Sequence, residues 1–283
     1  FEKLVVISQA LKNMYMENTI LNDKKIQVVH DGADEVKSFS QKIKLFGKEG
    51  NLKVGYVGHL YKGKGIEIIE SVSNKVSRDI EFHIIGGLEK DIKQWKKRIK
   101  RNNVFFYGYV PHKKVSKFIN SLDVCLLPNQ KVVLAHGAEG GGMNISGYTS
   151  PLKLFEYMSH KKAIISSDLP VLKEVLNETN CLLVKHDKIS DWIDAIYKLK
   201  NLILRQKIAS KALNDFYSYT WKNRAKNIIS SLSNKKITIL ISSLSGGGAE
   251  GVSVNIANSF ARDGWSVDLV VLHLKNASYL DRV

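Results

Sequence analysis

The stretch "SGYTSPLKLFEYMSHKKAIISSDLP", residues 146–170, joins a helix start, a helix and a strand. Ser150 is a strong N-cap residue, and Pro151 suits the first helical position, where the N–H it lacks would have had no partner. The apolar spacing through Leu152, Leu154, Phe155, Tyr157 and Met158 carries the helix on, and "KAIISS" at 162–167 reads as a strand. A helix that starts this sharply presents the free N–H groups of Leu152 and Lys153. Together with the helix dipole they make an end able to hold a diphosphate. Ser150, Pro151, Leu152 and Lys153 are therefore candidate binding residues. Glu156 lies about one and a half turns further in, where its carboxylate could accept hydrogen bonds from two ribose hydroxyls. The plain alternative makes Glu156 and Lys153 solvated residues of a surface helix.

Outward from this stretch the same alternation repeats. "LKVGYVG" (52–58), "EFHIIGG" (81–87), "VFFYGYV" (104–110), "DVCLLP" (123–128) and "CLLV" (181–184) read as further strands. Between them "GIEIIESVSNKV", "EKDIKQWKKRIKR", "HKKVSKFINS" and "PVLKEVLNE" carry apolar residues at helical spacing. Strands alternating with helices predict an α/β fold, a parallel sheet with helices on both faces. In such sheets ligands bind beyond the carboxyl ends of the strands.

One strand-to-helix connection is rich in glycine. In "GHLYKGKGIEII", 58–69, Gly58, Gly63 and Gly65 let the backbone approach a ligand closely, and Lys64 can reach an anion just ahead of the next helix. The spacing is not that of a Walker A loop, which disfavours nucleotide hydrolysis of that class. Taken alone, the loop is equally an ordinary turn. A longer connection, "NQKVVLAHGAEGGGMNI", follows Pro128, and its Gly140–Gly142 run reads as a mobile loop at the carboxyl edge of the sheet or, equally, as simple disorder.

In order along the chain, "GYVGHLYKGKGIEII", "IIGG", "VFFYGYVPHKKVSKFINSLDVCLLP", "SPLKLFEYM" and "AIISSDLPVLKEVL" resemble the family 4 retaining glycosyltransferases, from about residue 50 to residue 230. The resemblance implies a GT-B arrangement of two facing Rossmann-like domains, of which the second binds a nucleotide-sugar, here a UDP- or GDP-sugar, with no further cofactor and no metal. By matching position, Lys64 resembles the lysine on the donor diphosphate and Glu156 the ribose-holding second glutamate of the Glu-x7-Glu motif. Gly108 to Val110 resemble the backbone that lines the nucleobase. The implied catalytic set is Lys64, His59 and Glu156, with Gly58, Val110 and residues 150–153 completing the donor site. The implied acceptor is a glycan or a lipid-linked carrier, in cell-surface polysaccharide synthesis. Three positions depart from the family pattern. His59 stands where Arg is usual, Tyr148 stands where the first motif glutamate belongs, and Lys161 replaces the glycine that usually ends the helix.

The resemblance also divides the chain. Residues 1–46 read as the end of an acceptor-side Rossmann-like domain, 47–215 as the nucleotide-sugar domain, and 216–235 as a crossing helix and linker. Residues 236–283 read as the start of a further glycosyltransferase domain. There "ITILISSLSGGGAEGVSVNIANSFARDGWSVDLVVLHL" gives strand, glycine turn, helix and strand. Its glycines are contiguous and no acidic residue closes the second strand, so it fails as a dinucleotide fingerprint. The sequence is therefore expected to be a fragment spanning two tandem glycosyltransferases. The other arrangement pairs residues 237–283 with 1–46 as a permuted, shortened first domain.

Lys and Arg number 43 against 27 Asp and Glu, a formal charge of +16, which favours anionic partners. The run "KQWKKRIKR", 93–101, reads either as a solvated helix face or as a patch facing an anionic membrane. Cys125 and Cys181 sit inside apolar runs, so buried free thiols and a reducing cytoplasm are expected, with any membrane contact peripheral at the inner face. Two other classes compete: a nicotinamide-dependent oxidoreductase, which needs a spaced glycine fingerprint, and a basic nucleic-acid-binding module, which needs an aromatic-rich or helix-turn-helix signature.

Overall fold

The structure, a computed structural model, describes residues 3–133, 144–230, 235–245, 247–274 and 277–282. The Gly140–Gly142 run expected in a mobile loop lies outside them, as does Gly246.

Two short parallel strands, β1 (Leu4–Val6) and β2 (Ile26–Val28), flank α1 (Gln9–Asn18). The main sheet follows, with β3 (Leu52–Val57), β4 (Ile80–Ile85), β5 (Val104–Gly108), β6 (Val124–Leu127), β7 (Ala163–Ser167) and β8 (Leu182–Val184). Between them run α2 (Ile66–Ser73), α3 (Glu89–Arg98), α4 (His112–Ser121) and α5 (Leu152–Ser159). Beyond the sheet come α6 (Ile189–Lys198), α7 (Leu202–Phe216) and α8 (Trp221–Ile229), then β9 (Lys236–Ser243), α9 (Gly248–Arg262) and β10 (Ser266–His273).

All six main strands are parallel, in the order β5-β4-β3-β6-β7-β8. The chain winds outward from β3 in one direction and from β6 in the other, so the order reverses between these two strands. A crevice at their carboxyl ends is the usual ligand position in such sheets. One face of the sheet, through Val54, Phe82, Ile84, Val124 and Ile165, packs on α2, α3 and α6. The other, through Val57, Ile85, Cys125, Leu127 and Ile164, packs on α4, α5 and the second half of α7. Burial on both faces explains why these strands read as continuous apolar runs. Cys125 and Cys181 are buried free thiols, as expected, and burial pushes each up to about 12.

One expected element is absent. Residues 170–178 form successive turns and no helix. Leu169, Val171, Leu172, Val175 and Leu176 are all drawn into the core. Beyond them the Asn180 side chain accepts the N–H of Asn177 at 2.8 Å, and that of Asn177 accepts the N–H of Thr179 at 3.0 Å. These side chains offer the backbone an alternative to helical continuation.

The C-terminal strands β9 and β10 pair in parallel, with α9 on one face. Phe260 of α9 and Trp265 are buried against Val29 beside β2 and Ile228 of α8, with Val5 of β1 alongside. The opposite face of this pair carries exposed Leu240, Val270 and Leu272. No helix among the described residues is long and apolar enough to cross a membrane.

Candidate functional site

The crevice between β3 and β6 is lined first by the loop at 58–65. Gly63 and Gly65 are left-handed, at φ 92° and 82°. A Cβ on Gly65 would fall on the carbonyl of Pro128 after β6, and one on Gly63 would meet the carbonyl of Val132. Glycine is therefore demanded twice over, by backbone conformation and by close approach. The loop is pinned at its start by the Tyr56 hydroxyl, which donates to the His59 carbonyl at 2.6 Å. The His59 and Tyr61 rings lie 5.7 Å apart, and the Lys64 ammonium rests 5.1 Å from the centroid of the Tyr61 ring. Two of the candidate residues thus converge on one tyrosine of this loop.

On the other side lies the amino end of α5. Pro151 occupies the N-cap position with extended backbone, and no side chain caps the helix. This corrects the expectation that Ser150 caps the helix and Pro151 begins it. Ser150 stands instead beside the buried carboxylate of Asp31, whose pKa its hydroxyl pulls down against burial. Leu152 and Lys153 occupy the first turn, where helical geometry leaves N–H groups without intrahelical partners.

Glu156 is not a loose surface carboxylate. Its oxygens accept two hydrogen bonds from Lys153 Nζ, at 2.7 and 2.9 Å, and Oε1 lies 3.9 Å from Nε2 of His112 at the start of α4. Its side chain is only 15% exposed, whereas that of His112 is 84% exposed. Burial opposes ionisation, yet His112 and Lys153 together hold the carboxyl below its ordinary value. The result is an ionised acceptor presented at a partly desolvated place, suited to holding hydroxyl groups.

The segment expected to line a nucleobase, Gly108 to Val110, leads directly into α4. The register between β4 and β5 slips, so that Ile85 pairs with Gly108 and Tyr107 is passed over. Gly108 then turns at φ 72°, and its carbonyl accepts the N–H of Gly86 at 2.8 Å. Val110 packs inward while Tyr109 is 80% exposed at the rim.

Four of the sequence candidates fall into two contact groups: Lys153 and Glu156, joined by His112, make one, and His59 and Lys64, which both meet Tyr61, make the other. No hydrogen bond or ion pair joins Lys64 to Glu156 among the described residues. His112 escaped sequence reasoning because its approach to Glu156 depends on α4 packing beside α5. A shallow recess beyond β6 and β7, lined by Asn129, Gln130, Ser146 and Thr149, also escaped it. Tyr148, at the position of the missing motif glutamate, donates its N–H to Ile145, and its carbonyl accepts from the Ser8 hydroxyl at 3.4 Å. Lys161 adopts φ 54°, so the left-handed helix end is kept without glycine.

The family model described as "Glycosyl transferases group 1" matches residues 51–201, the whole of the main sheet and α6. An uncharacterized glycosyltransferase of Methanocaldococcus jannaschii is 28% identical over 235 residues, 79% of this chain and 56% of that protein. The phosphatidylinositol N-acetylglucosaminyltransferase GPI3 subunit of Saccharomyces cerevisiae is 25% identical over 225 residues, 76% of this chain and 45% of that protein. The chain thus spans about half the length of these curated relatives. Among solved structures, the Anabaena protein HepE in complex with UDP and glucose superimposes with a TM-score of 0.64 at 15% identity, covering 82% of this chain and 63% of that one. The lipopolysaccharide outer core galactosyltransferase WaaB gives 0.61 at 17% identity, covering 81% and 61%. At these identities the two structures speak for the fold, a GT-B fold.

Proposed function

Because the chain belongs to the group 1 glycosyl transferases, we propose that its crevice binds a nucleoside-diphosphate sugar and serves retaining, metal-independent transfer of the sugar to a glycan or lipid-linked acceptor. The observation that carries this reading is the arrangement at the sheet's reversal point. A glycine loop bearing Lys64 faces it on one side, and the open first turn of α5 leads to the ionised Glu156 on the other. Lys64, His59 and the Leu152 and Lys153 N–H groups would stabilise charge that develops on the diphosphate as the sugar–phosphate bond breaks. A charge-assisted contact from Lys64 contributes about 1.5–3 kcal/mol. Glu156 would hold the ribose, and Gly58 and the backbone at Gly108 to Val110 would flank the phosphates and the base.

UDP and GDP are the candidate leaving groups, and the Anabaena neighbour solved with UDP supports the former. A lipid-linked acceptor in cell-surface polysaccharide synthesis, met at the inner face of a membrane from the cytoplasm, fits the basic charge. The yeast relative's name, a phosphatidylinositol glycosyltransferase subunit, supports it. Donor binding with little turnover is the behaviour proposed for this chain, which spans about half the length of its curated relatives.

Calorimetric titration with UDP, GDP and NAD, on the wild type, Lys64→Ala and Glu156→Ala, tests the reading. One nucleoside diphosphate should bind in preference, and both substitutions should weaken it about tenfold or more. Binding indifferent to both substitutions, or preference for NAD, would refute the site.

A further inference from the structure

Arg224 of α8 is buried, yet only one end of its guanidinium is used by the protein. Nη1 donates to the carbonyls of Val29 and His30 and lies 3.6 Å from Oδ1 of Asp31. Nε is shielded from bulk solvent and donates to no group among the described residues. A buried N–H left in this way is rare in folded proteins and marks a place where something else accepts it.

Arg224 lines a cavity of about 100 Å³ between the end of β2, the turn at 217–219 and α8. That is room for several water molecules or for one tetrahedral oxyanion. His30, Ser218, Tyr219 and Asn227 line it as well. The hydroxyls of Ser218 and Tyr219 and the side-chain amide of Asn227 are bonded to none of the described residues. Arg224 is only 6% exposed and forms the floor, whereas Ser218 and Asn227 are exposed and form the mouth.

The charge of the lining selects an anion. No carboxylate lines the cavity. Glu174, near His30, is taken by the N–H groups of Gln9 and Ala10, and Asp215, near Tyr219, by Asn180 and Lys211. Asp31 sits against Nη1 and offsets part of the Arg224 charge, so what remains suits one small anion and not a polyanion.

The walls are also fixed in advance. A Cβ on Gly32 would fall on the carbonyl oxygen of Tyr219, which accepts the N–H of Ala33 at 3.2 Å. Ala33 pairs with Thr220, and the Thr220 hydroxyl caps α8 by accepting the N–H of Asn223 at 3.1 Å. The chain after β2 and the turn before α8 are thus locked together, and a ligand held between them costs little ordering of protein.

We propose that this cavity binds a single phosphoryl group, free or at the head of a phosphomonoester, through the Nε edge of Arg224, the Ser218 and Tyr219 hydroxyls and the Asn227 amide. A guanidinium edge with its own N–H groups unused meets an oxyanion in the geometry that makes such contacts strong. The exposed mouth lets an ester tail leave towards solvent. The site shares no residue with the loop at 58–65 or with α5, and it does not depend on the function proposed above.

The test follows the Arg224 Nε–H signal by nuclear magnetic resonance in the isotope-labelled full chain, as inorganic phosphate replaces chloride at constant ionic strength. The expected result is a saturable shift of that signal, with the same affinity in Lys64→Ala. Asn227→Asp, which sets a carboxylate at the mouth, should weaken binding about tenfold or more. Tyr219→Phe, which removes one hydroxyl, should weaken it about threefold. Neither change touches the bonds from Arg224 to Val29 and His30, so both variants should fold. Glycerol phosphate in place of inorganic phosphate separates the two sources. Tighter binding of the ester assigns the site to a phosphomonoester, and tighter binding of phosphate assigns it to the free ion. A signal that phosphate moves no more than chloride does, or that never saturates, overturns the proposal, because the cavity then holds water alone. So does an affinity that survives Asn227→Asp and Tyr219→Phe unchanged, or one lost in Lys64→Ala, which would place the phosphate in the crevice.

Discussion

Lys153 Nζ lies 2.7 Å from Oε2 and 2.9 Å from Oε1 of Glu156, so one ammonium spans both oxygens of the carboxylate three residues further along α5. His112 reaches the same carboxylate from α4 at 3.9 Å. The carboxylate is thus oriented by Lys153 and His112, and ribose hydroxyls, in the role proposed for Glu156, would share it with them.

Replacing Glu156 by Gln removes the charge while keeping the shape. Glu156 titrates below the ordinary value of 4.5, through His112 and Lys153 acting against burial. A depressed carboxyl stabilises the folded state above the unfolded value, and that contribution is lost as pH falls through the lower folded value. For a pair this shielded, the contribution at neutral pH is about 1 kcal/mol. Urea unfolding from about pH 6 to about pH 3 should show a loss in the wild type that Glu156→Gln lacks. Equal acid sensitivity in both proteins would refute the assignment.

His83, in the middle of β4, makes the opposite kind of prediction, since it is held neutral. Its ring is fully buried, with Nδ1 2.9 Å from the Tyr107 hydroxyl and Nε2 3.9 Å from Glu81 Oε2. Burial, and then the charge of Lys53, lower it from 6.5 to about 4. Between these values the unfolded chain binds the proton and the folded chain does not, so stability falls as pH drops from 6.5 towards 4. The total is about 3 kcal/mol. His83→Gln should remove most of this slope in denaturant titrations over the same range, whatever its effect on stability at neutral pH.

These two residues also mark what was legible in the sequence and what was not. The six strands and α2 to α5 were readable because a parallel sheet buried on both faces imposes unbroken apolar runs, and its helices impose a 3.6-residue period. Gly63 and Gly65 were expected to let backbone approach a ligand; the close approach present is to the carbonyls of Pro128 and Val132, a packing that no local spacing reveals. The cap at Pro151 was misread by one residue because the competing partner of Ser150, Asp31, is 119 positions away in sequence. The turns at 170–178 have helical spacing, but so many of their side chains are buried that tertiary packing overrides it. His112 and the position of Gly248 beside Leu152 depend on how elements dock, which no local pattern encodes.

Lys161 offers a gain. It ends α5 at φ 54°, where Lys161 N–H donates to Met158 and Lys162 N–H to Tyr157, the pairing of a Schellman end. A side chain in this region is strained, and glycine is not. Lys161 is exposed, so its side chain packs little that would be lost. Lys161→Gly should raise stability by about 1 kcal/mol without altering nucleotide affinity. A thermal midpoint that falls would show that the strain is compensated elsewhere.

Arg224 on α8 is the reverse case, a buried charge whose removal should be costly. Its guanidinium donates to the carbonyls of Val29 and His30 and lies 3.6 Å from Asp31 Oδ1, both side chains being nearly inaccessible. Burial pushes the Asp31 carboxyl up, against the pull of Arg224 and the Ser150 hydroxyl. Arg224→Met leaves two carbonyls without their donor and a buried carboxylate without its counter-charge, and the loss of one partner from such a pair costs about 3–5 kcal/mol. Adding Asp31→Asn removes the stranded charge, so the double variant should be less destabilised than the sum of the two single ones. Because Asp31 also engages Ser150 at the head of α5, Arg224→Met should weaken binding of the preferred nucleoside diphosphate as well. Additive losses of stability, measured by urea unfolding of all four proteins, would show that Arg224 acts on the backbone carbonyls alone.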